Sequence, residues 1–378
     1  MSSMHGKDVF VVADNLFTPL GKTTAANFAN LKQGKTAVKQ HHIPALSPQS
    51  FYAALFEENA FSKADNYTKF EQLLIASISD ALQQSGVNAS DKKTVLIISS
   101  TKGNISLLET DKDTPELRER ISLSTSAKLI AEHFGFANKP IIISNACISG
   151  VVAIITGMRL LQTGQYENAV ITGADVISEF ILSGFQSFQA LSAGICKPFD
   201  KSRDGLNLGE GAGTFILSSN PKYSGNIKVL GGGISNDANH ISGPSRTGKE
   251  LSFAIGQALR DAGISANDID FISAHGTATP YNDEMEANAT SLSGLEHVPL
   301  NSLKANYGHT LGAAGLIESI VSIQSLTEGI LLPTMGFEER GVSKPVNVCA
   351  APLRIKARNF LKTASGFGGC NAALVFGK

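Results

Sequence analysis

Three short glycine-rich segments carry one thiol and two imidazoles: Asn145-Ala146-Cys147-Ile148-Ser149-Gly150, Ala274-His275-Gly276-Thr277-Ala278-Thr279-Pro280, and Lys304-Ala305-Asn306-Tyr307-Gly308-His309-Thr310-Leu311-Gly312-Ala313-Ala314-Gly315. A thiol can carry an acyl group, and imidazole N–H groups can stabilise negative charge on a carbonyl oxygen, so the set suits chemistry on thioesters. A lone cysteine is more often a buried structural residue. Cys147, however, stands between a strand pattern and an apolar helix pattern, where helix N–H groups and the helix dipole favour a thiolate. His275 ends a strand pattern and is followed by Thr277 and Thr279, whose hydroxyls suit the amides of a long flexible ligand. His309 precedes a run of small residues that lets a helix approach other backbone closely. Lys304 and Glu318 flank His309, and read equally as a solvated surface pair or as a buried network that orients the imidazole. Gly366-Phe367-Gly368-Gly369 reads as a tight turn, or as an N–H donor for an oxyanion with Phe367 as a movable cover.

The elements that must position these residues follow from periodicity. Short apolar runs at 9–13, 94–99, 140–144, 168–172 and 211–217 read as strands, the third leading straight into Cys147. Helical spacing marks 24–33, 67–85, 124–134 and 150–161, with Gly86 and Gly135 as C-caps of the second and third. The second half repeats the alternation: strands at 227–233 and 268–274, the latter delivering His275, with helices at 249–262, 283–292 and 311–326. A glycine turn and strand over 364–375 close the chain. Two rounds of alternation argue an α/β class, with the halves meeting near 219–226 and packing as one body.

Composition narrows the function classes. The chain has 378 residues, 42% hydrophobic and 17% charged, which is a folded composition with a substantial core. A net charge of -1 gives no global attraction to nucleic acid or to a membrane. The four cysteines, 147, 196, 349 and 370, form no CxxC pair and no zinc pattern, and suggest a reducing compartment; the last three read as structural. No apolar signal core opens the chain and no run is long enough to span a bilayer, so a cytoplasmic protein is expected. The segment Asp204-Gly205-Leu206-Asn207-Leu208-Gly209-Glu210-Gly211-Ala212-Gly213 has the glycines of a phosphate loop. It lacks the strand-then-helix placement and the Lys-Ser/Thr ending, so nucleotide binding is rejected.

Taken in order, these motifs resemble the β-ketoacyl-[acyl carrier protein] synthases of the decarboxylating Cys-His-His type, in the thiolase-like superfamily. The likeness spans nearly the whole chain. It includes Phe17-Thr18-Pro19-Leu20-Gly21, Asp65-Asn66-Tyr67-Thr68-Lys69, Lys197-Pro198-Phe199-Asp200 with Arg203-Asp204-Gly205 and Gly209 to Gly213, the two His motifs with Asp283, Lys304 and Glu318, and Phe367-Gly368-Gly369 with Asn371. The resemblance implies a five-layered αβαβα thiolase-like fold from two related halves, 1–222 with Cys147 and 223–378 with His275 and His309. It implies that Cys147 takes an acyl chain from a carrier protein and that His275 and His309 stabilise the enolate left when a malonyl group loses CO2. Thr277 and Thr279 would contact the phosphopantetheine arm, Phe367 and Gly368 would line the substrate site, and Lys304 and Glu318 would set the charge around His309. No cofactor or metal is implied beyond the arm carried by the acyl carrier protein. A homodimer is implied, or a heterodimer with a homologous subunit.

Departures from the family pattern are Asn145 for Thr or Ser, Ser365 for Phe, Cys370 for Thr, and a short stretch between Ser99 and Ser124. They bear on the pocket and its cover, and fit an unusual primer or a secondary-metabolite pathway. Two rivals remain: a thiolase-like enzyme acting on coenzyme A esters, kept alive by Cys370, and a non-catalytic partner subunit, against which all three reactive residues speak. Lys63, Lys69, Arg118, Arg120 and Lys128 are candidates for a basic surface facing an acidic carrier protein, or are simply scattered solvated charges.

Overall fold

The computed structural model describes residues 6–62, 66–223, 225–239 and 242–378; Lys63 and Asp65 lie outside them. Ten principal strands run β1 (Phe10–Phe17), β2 (Thr94–Ser99), β3 (Ile141–Ile143), β4 (Asn168–Asp175), β5 (Gly211–Ser218), β6 (Ile227–Asn236), β7 (Phe271–Ser273), β8 (Pro299–Asn301), β9 (Asn359–Gly366) and β10 (Cys370–Gly377). The first five pair in the order β3-β2-β4-β5-β1 and the second five in the order β8-β7-β9-β10-β6. Adding five to each label of the first sheet gives the second. The directions repeat too: the first two pairings are parallel and the last two antiparallel in both sheets. The sheets touch edge to edge at Phe10↔Lys228 and Val11↔Ile227, with the Val229 N–H donating to the Val9 carbonyl beside them. The duplication expected from pattern alone is therefore present in topology.

Six helices fill the layers: α1 (Lys69–Ser85), α2 (Leu123–Phe134), α3 (Ser149–Gln162), α4 (Lys249–Ala262), α5 (Pro280–Leu292) and α6 (Ala314–Glu328). α1 starts at a capping box, in which Thr68 accepts from the Glu71 N–H and Glu71 accepts from the Thr68 N–H, and stops at Gly86 in the left-handed region. α1 and α2 cover one face of the first sheet, and α4 and α5 cover the outer face of the second. α3 and α6 lie between the sheets and contact both. This explains their composition: a helix sandwiched between two sheets has no wet face, and α6 buries residues all round, Glu318 included. The result is the expected αβαβα stack.

α3 and α6 cross near their N-termini with almost no space between backbones. A Cβ on Gly315 would lie 2.6 Å from Val151 Cγ2 and 2.8 Å from the Val151 N, and one on Gly150 would lie 2.9 Å from the Leu316 N. Gly315→Ala is expected to cost about 1–3 kcal/mol by overpacking, read as a lowered thermal midpoint together with slower acylation of Cys147. An unchanged midpoint would mean that the crossing has slack.

The sequence reading placed one strand at the C-terminus, over 364–375. The structure has a hairpin there, with β9 and β10 paired along their whole length. The helices Glu179–Ser187 and Pro115–Arg120 were also missed. No helix among the described residues is long and apolar enough to cross a membrane.

Candidate active site

β3 runs into a turn that presents Cys147 just before α3. Ala146 takes φ +43, a left-handed conformation that costs a non-glycine residue roughly 1–2 kcal/mol. The turn is clamped by Ser149, whose Oγ accepts from the Asn145 N–H (2.8 Å) and donates to the Ala146 carbonyl (2.6 Å). The thiol is nearly buried, at 9% exposure. Burial pushes it up to about 12; Cys370 and Asp175 add to this, while Lys304 and the Phe367 N–H oppose it. Burial thus favours the thiol, and desolvation outweighs the donors that favour a thiolate at this position.

His275 follows β7. Its loop is held by two buried carboxylates from α5. Glu286 accepts from the N–H groups of His275 and Gly276 (both 2.8 Å) and from the Thr363 hydroxyl (2.6 Å). Asp283 accepts from the N–H groups of Thr277 (3.0 Å) and Phe199 (2.7 Å), and burial raises it to about 7. The Thr277 and Thr279 hydroxyls are bonded to each other at 2.9 Å.

His309 is docked on the segment that had been read as a failed phosphate loop. Its N–H donates to the Asn207 carbonyl (2.6 Å), and its carbonyl accepts from the Gly209 N–H (3.1 Å). A Cβ on Gly209 would sit 1.9 Å from the Tyr307 carbonyl, so glycine is required there. The glycines thus serve the close seating of His309.

The two imidazoles meet edge to face, with centroids 5.3 Å apart and planes at 82°. Both are buried, and burial followed by the nearby Lys304 holds each well below 6.5; Lys362 and, for His275, the His309 ring add to this. Both are neutral at physiological pH. Among the described residues, His309 Nδ1 has no hydrogen-bond partner.

Behind the imidazoles lies a buried ion triad. Lys304 donates to the His275 carbonyl (2.9 Å) and to Glu318 Oε1. Lys362, in β9, pairs with Glu318 Oε2 at 2.7 Å and donates to the Ser273 (3.1 Å) and Ala274 (3.2 Å) carbonyls. Lys304 and Glu318 are therefore a buried network, as one of the two sequence readings had it. Lys362 went unnoticed. The available signal was a lysine at the centre of a strand between Leu361 and Thr363.

Cys147, His275, Thr277, Thr279, His309 and Phe367 line one cavity of about 500 Å³. Gly366 and Gly369 also reach it, and Gly368 does not. Phe367 is 37% exposed and sits against Phe185 (stacked, centroids 5.7 Å) and Phe188 (edge, 5.4 Å), on and just after the helix that sequence reading missed. Ser365 donates to Asn371 Oδ1 (2.8 Å), which ties the base of the Phe367 turn.

Cys370, expected to be structural, lies beside Cys147. A Cβ on Gly366 would be 3.0 Å from both the Cys147 N and the Cys370 Sγ. Its thiol donates to the Phe367 carbonyl at 3.3 Å and does not line the cavity. Cys370→Ala is expected to leave acylation of Cys147 within about threefold of wild type. A loss of activity with acylation intact would instead mark two-cysteine chemistry.

The basic set is matched by carboxylates. Lys69 pairs with buried Glu210 (2.6 Å), Arg120 with buried Glu71 (2.6 Å), Arg118 with Asp113 (2.7 Å) and Lys128 with Glu132 (3.8 Å). Its four described members do not form a free cationic face. Among the described residues, no group of three or more His, Cys, Asp or Glu is arranged to hold a metal ion.

Comparison with known proteins gives one family. Residues 6–222 match the beta-ketoacyl synthase N-terminal domain and residues 227–338 match the C-terminal domain. The chain is 30% identical to a 3-oxoacyl-[acyl-carrier-protein] synthase 2 of Vibrio cholerae, over 99% of each chain. Among solved structures it resembles a beta-ketoacyl synthase from Burkholderia phymatum (25% identity, TM-score 0.87, 98% of this chain and 99% of that one). It also resembles a ketosynthase in complex with its chain length factor from Xenorhabdus doucetiae (27%, TM-score 0.84, 98% of each).

Proposed function

Because the chain belongs to the β-ketoacyl synthase family, we propose that its cavity performs the decarboxylative condensation of an acyl group on Cys147 with malonyl-acyl carrier protein, in fatty-acid or polyketide synthesis. The observation that carries this reading is the convergence of Cys147, His275 and His309 on one cavity. The boundary between the halves is placed at 222/223, and the protein is placed in the cytoplasm.

In the first half-reaction the Cys147 sulfur attacks the acyl thioester and the carrier's thiol leaves with the proton. Because the resting group is a thiol, deprotonation accompanies attack. The oxyanion of each tetrahedral intermediate lies against the N–H groups of Cys147 and Phe367. Malonyl carrier protein then binds, its arm held by Thr277 and Thr279. The neutral imidazoles each donate an N–H to the malonyl thioester oxygen. The C–C bond to the carboxylate breaks, CO2 leaves, and the bonding pair becomes the enolate. The enolate carbon attacks acyl-Cys147, the β-ketoacyl product forms, and the thiolate released takes up a proton. No resident cofactor enters this scheme.

A homodimer is the simplest assembly. The half-exposed Ile141, Ile142 and Ile143 of edge strand β3, next to Cys147, supply a surface for it. A homologous subunit that shapes the pocket is the second reading, supported by the likeness to a ketosynthase that works beside a chain length factor.

Intact-mass measurement after incubation with a panel of acyl carrier-protein thioesters tests the proposal. A gain of one acyl group, absent in Cys147→Ala, is expected, followed by loss of that mass when malonyl carrier protein is added. No gain from any donor would overturn it in favour of the partner-subunit reading.

A further inference from the structure

Lysine is rarely fully buried, because removing an ammonium from water costs several kcal/mol unless it is paired. Lys362 has no exposed surface and sits mid-strand, where an apolar residue would satisfy the sheet without that cost. Its ammonium donates to the Ser273 and Ala274 carbonyls and ion-pairs with Glu318 Oε2. Lys304 takes the next carbonyl, that of His275. Two ammoniums therefore hold three successive carbonyls on the segment that ends in His275, and share one carboxylate between them.

The charged and titratable groups around the imidazoles are Lys304, Lys362, Glu318, Glu286 and the Cys147 thiol, with Asp283 behind Thr277, Asp175 beneath Gly312, and Asp204 and Asp237 on the same cavity wall. Glu286 is spent on the N–H groups of His275 and Gly276 and on Thr363. The triad Lys304–Glu318–Lys362 sets two basic side chains against one carboxylate. We propose that Lys362 is a positioning residue for decarboxylation: it fixes the strand end that carries His275, and its ammonium adds positive charge behind the imidazoles. An imidazolium would ion-pair with the malonyl carboxylate and stabilise the group that must leave. The inference rests on the condensing reading above, and wild-type condensation in the same assay tests that reading separately.

The test compares wild type with Lys362→Met, which keeps length and removes charge, and Lys362→Gln, which keeps an amide donor toward the carbonyls. CO2 release from malonyl carrier protein is followed against pH, and Cys147 acylation is followed by mass. Losing a nearby cation raises the imidazole pKa, so the acid limb of CO2 release should move up by about half a pH unit or more. Release on the acid limb should fall about threefold or more, with acylation within about twofold of wild type. An unmoved acid limb, an equal loss in both half-reactions, or failure of both variants to fold would assign Lys362 to the core instead and overturn the proposal.

Discussion

His309→Ala is expected to lower condensation on the order of 10²–10³-fold, the usual cost of one donor aimed at developing negative charge in a site shielded from water. Acylation of Cys147 should survive, because in the proposed scheme its oxyanion is met by the Cys147 and Phe367 N–H groups. The His309 backbone is held by the Asn207 carbonyl and the Gly209 N–H, so removing the side chain leaves its loop anchored. His275→Ala should show the same split. Mass spectrometry of the acyl enzyme, paired with CO2 release, separates the two half-reactions. If either variant fails to become acylated, that imidazole acts on the thiol and the assignment to the malonyl oxygen is wrong. The acid limb offers a second check. Both rings are held well below 6.5 by burial and by the lysines, so protonation should not suppress wild-type activity until the pH is below 6.5.

Glu318→Leu should be the most damaging change to stability. Its carboxylate is the shared counter-ion of two fully buried lysines. Removing one member of a buried ion pair costs on the order of 3–5 kcal/mol, because the charge left behind stays dry and unpaired; here two cations are left. A marked fall in thermal midpoint or loss of soluble protein is the expected result. The double substitution Glu318→Leu with Lys362→Leu should recover part of the loss by removing one stranded cation. A single variant that melts with wild type would show that water or an anion reaches the triad.

Much of this site was legible because its chemistry is local. Cys147, His275 and His309 each sit in a segment whose strand, glycines and following helix can be read within about fifteen residues. What was hidden depends on contacts distant in sequence. Lys362 faces Glu318 across the sheet from another element, and nothing near position 362 announces a carboxylate partner. Phe185 and Phe188 matter only because their helix lies against Phe367. The second C-terminal strand was lost because 359–366 carries Asn, Lys and Thr in a fully buried sheet, which breaks the apolar run expected there; the Lys362 and Thr363 side chains are satisfied by Glu318, Glu286 and backbone carbonyls. The pairing of Lys69 and Arg120 with inner carboxylates likewise required the folded chain.

The duplication has a consequence for how the protein comes into being. α3 follows the Cys147 turn and is mostly apolar, Arg159 in its last turn excepted, because the second sheet covers its far side. On the ribosome that cover is missing until the second half has been made. At about 5–20 residues per second, the first half waits roughly ten to thirty seconds with α3 facing water. The molecule is thus most prone to aggregate during its own synthesis, and cellular yield should depend on chaperone capacity at that stage more than on the melting point of the finished enzyme.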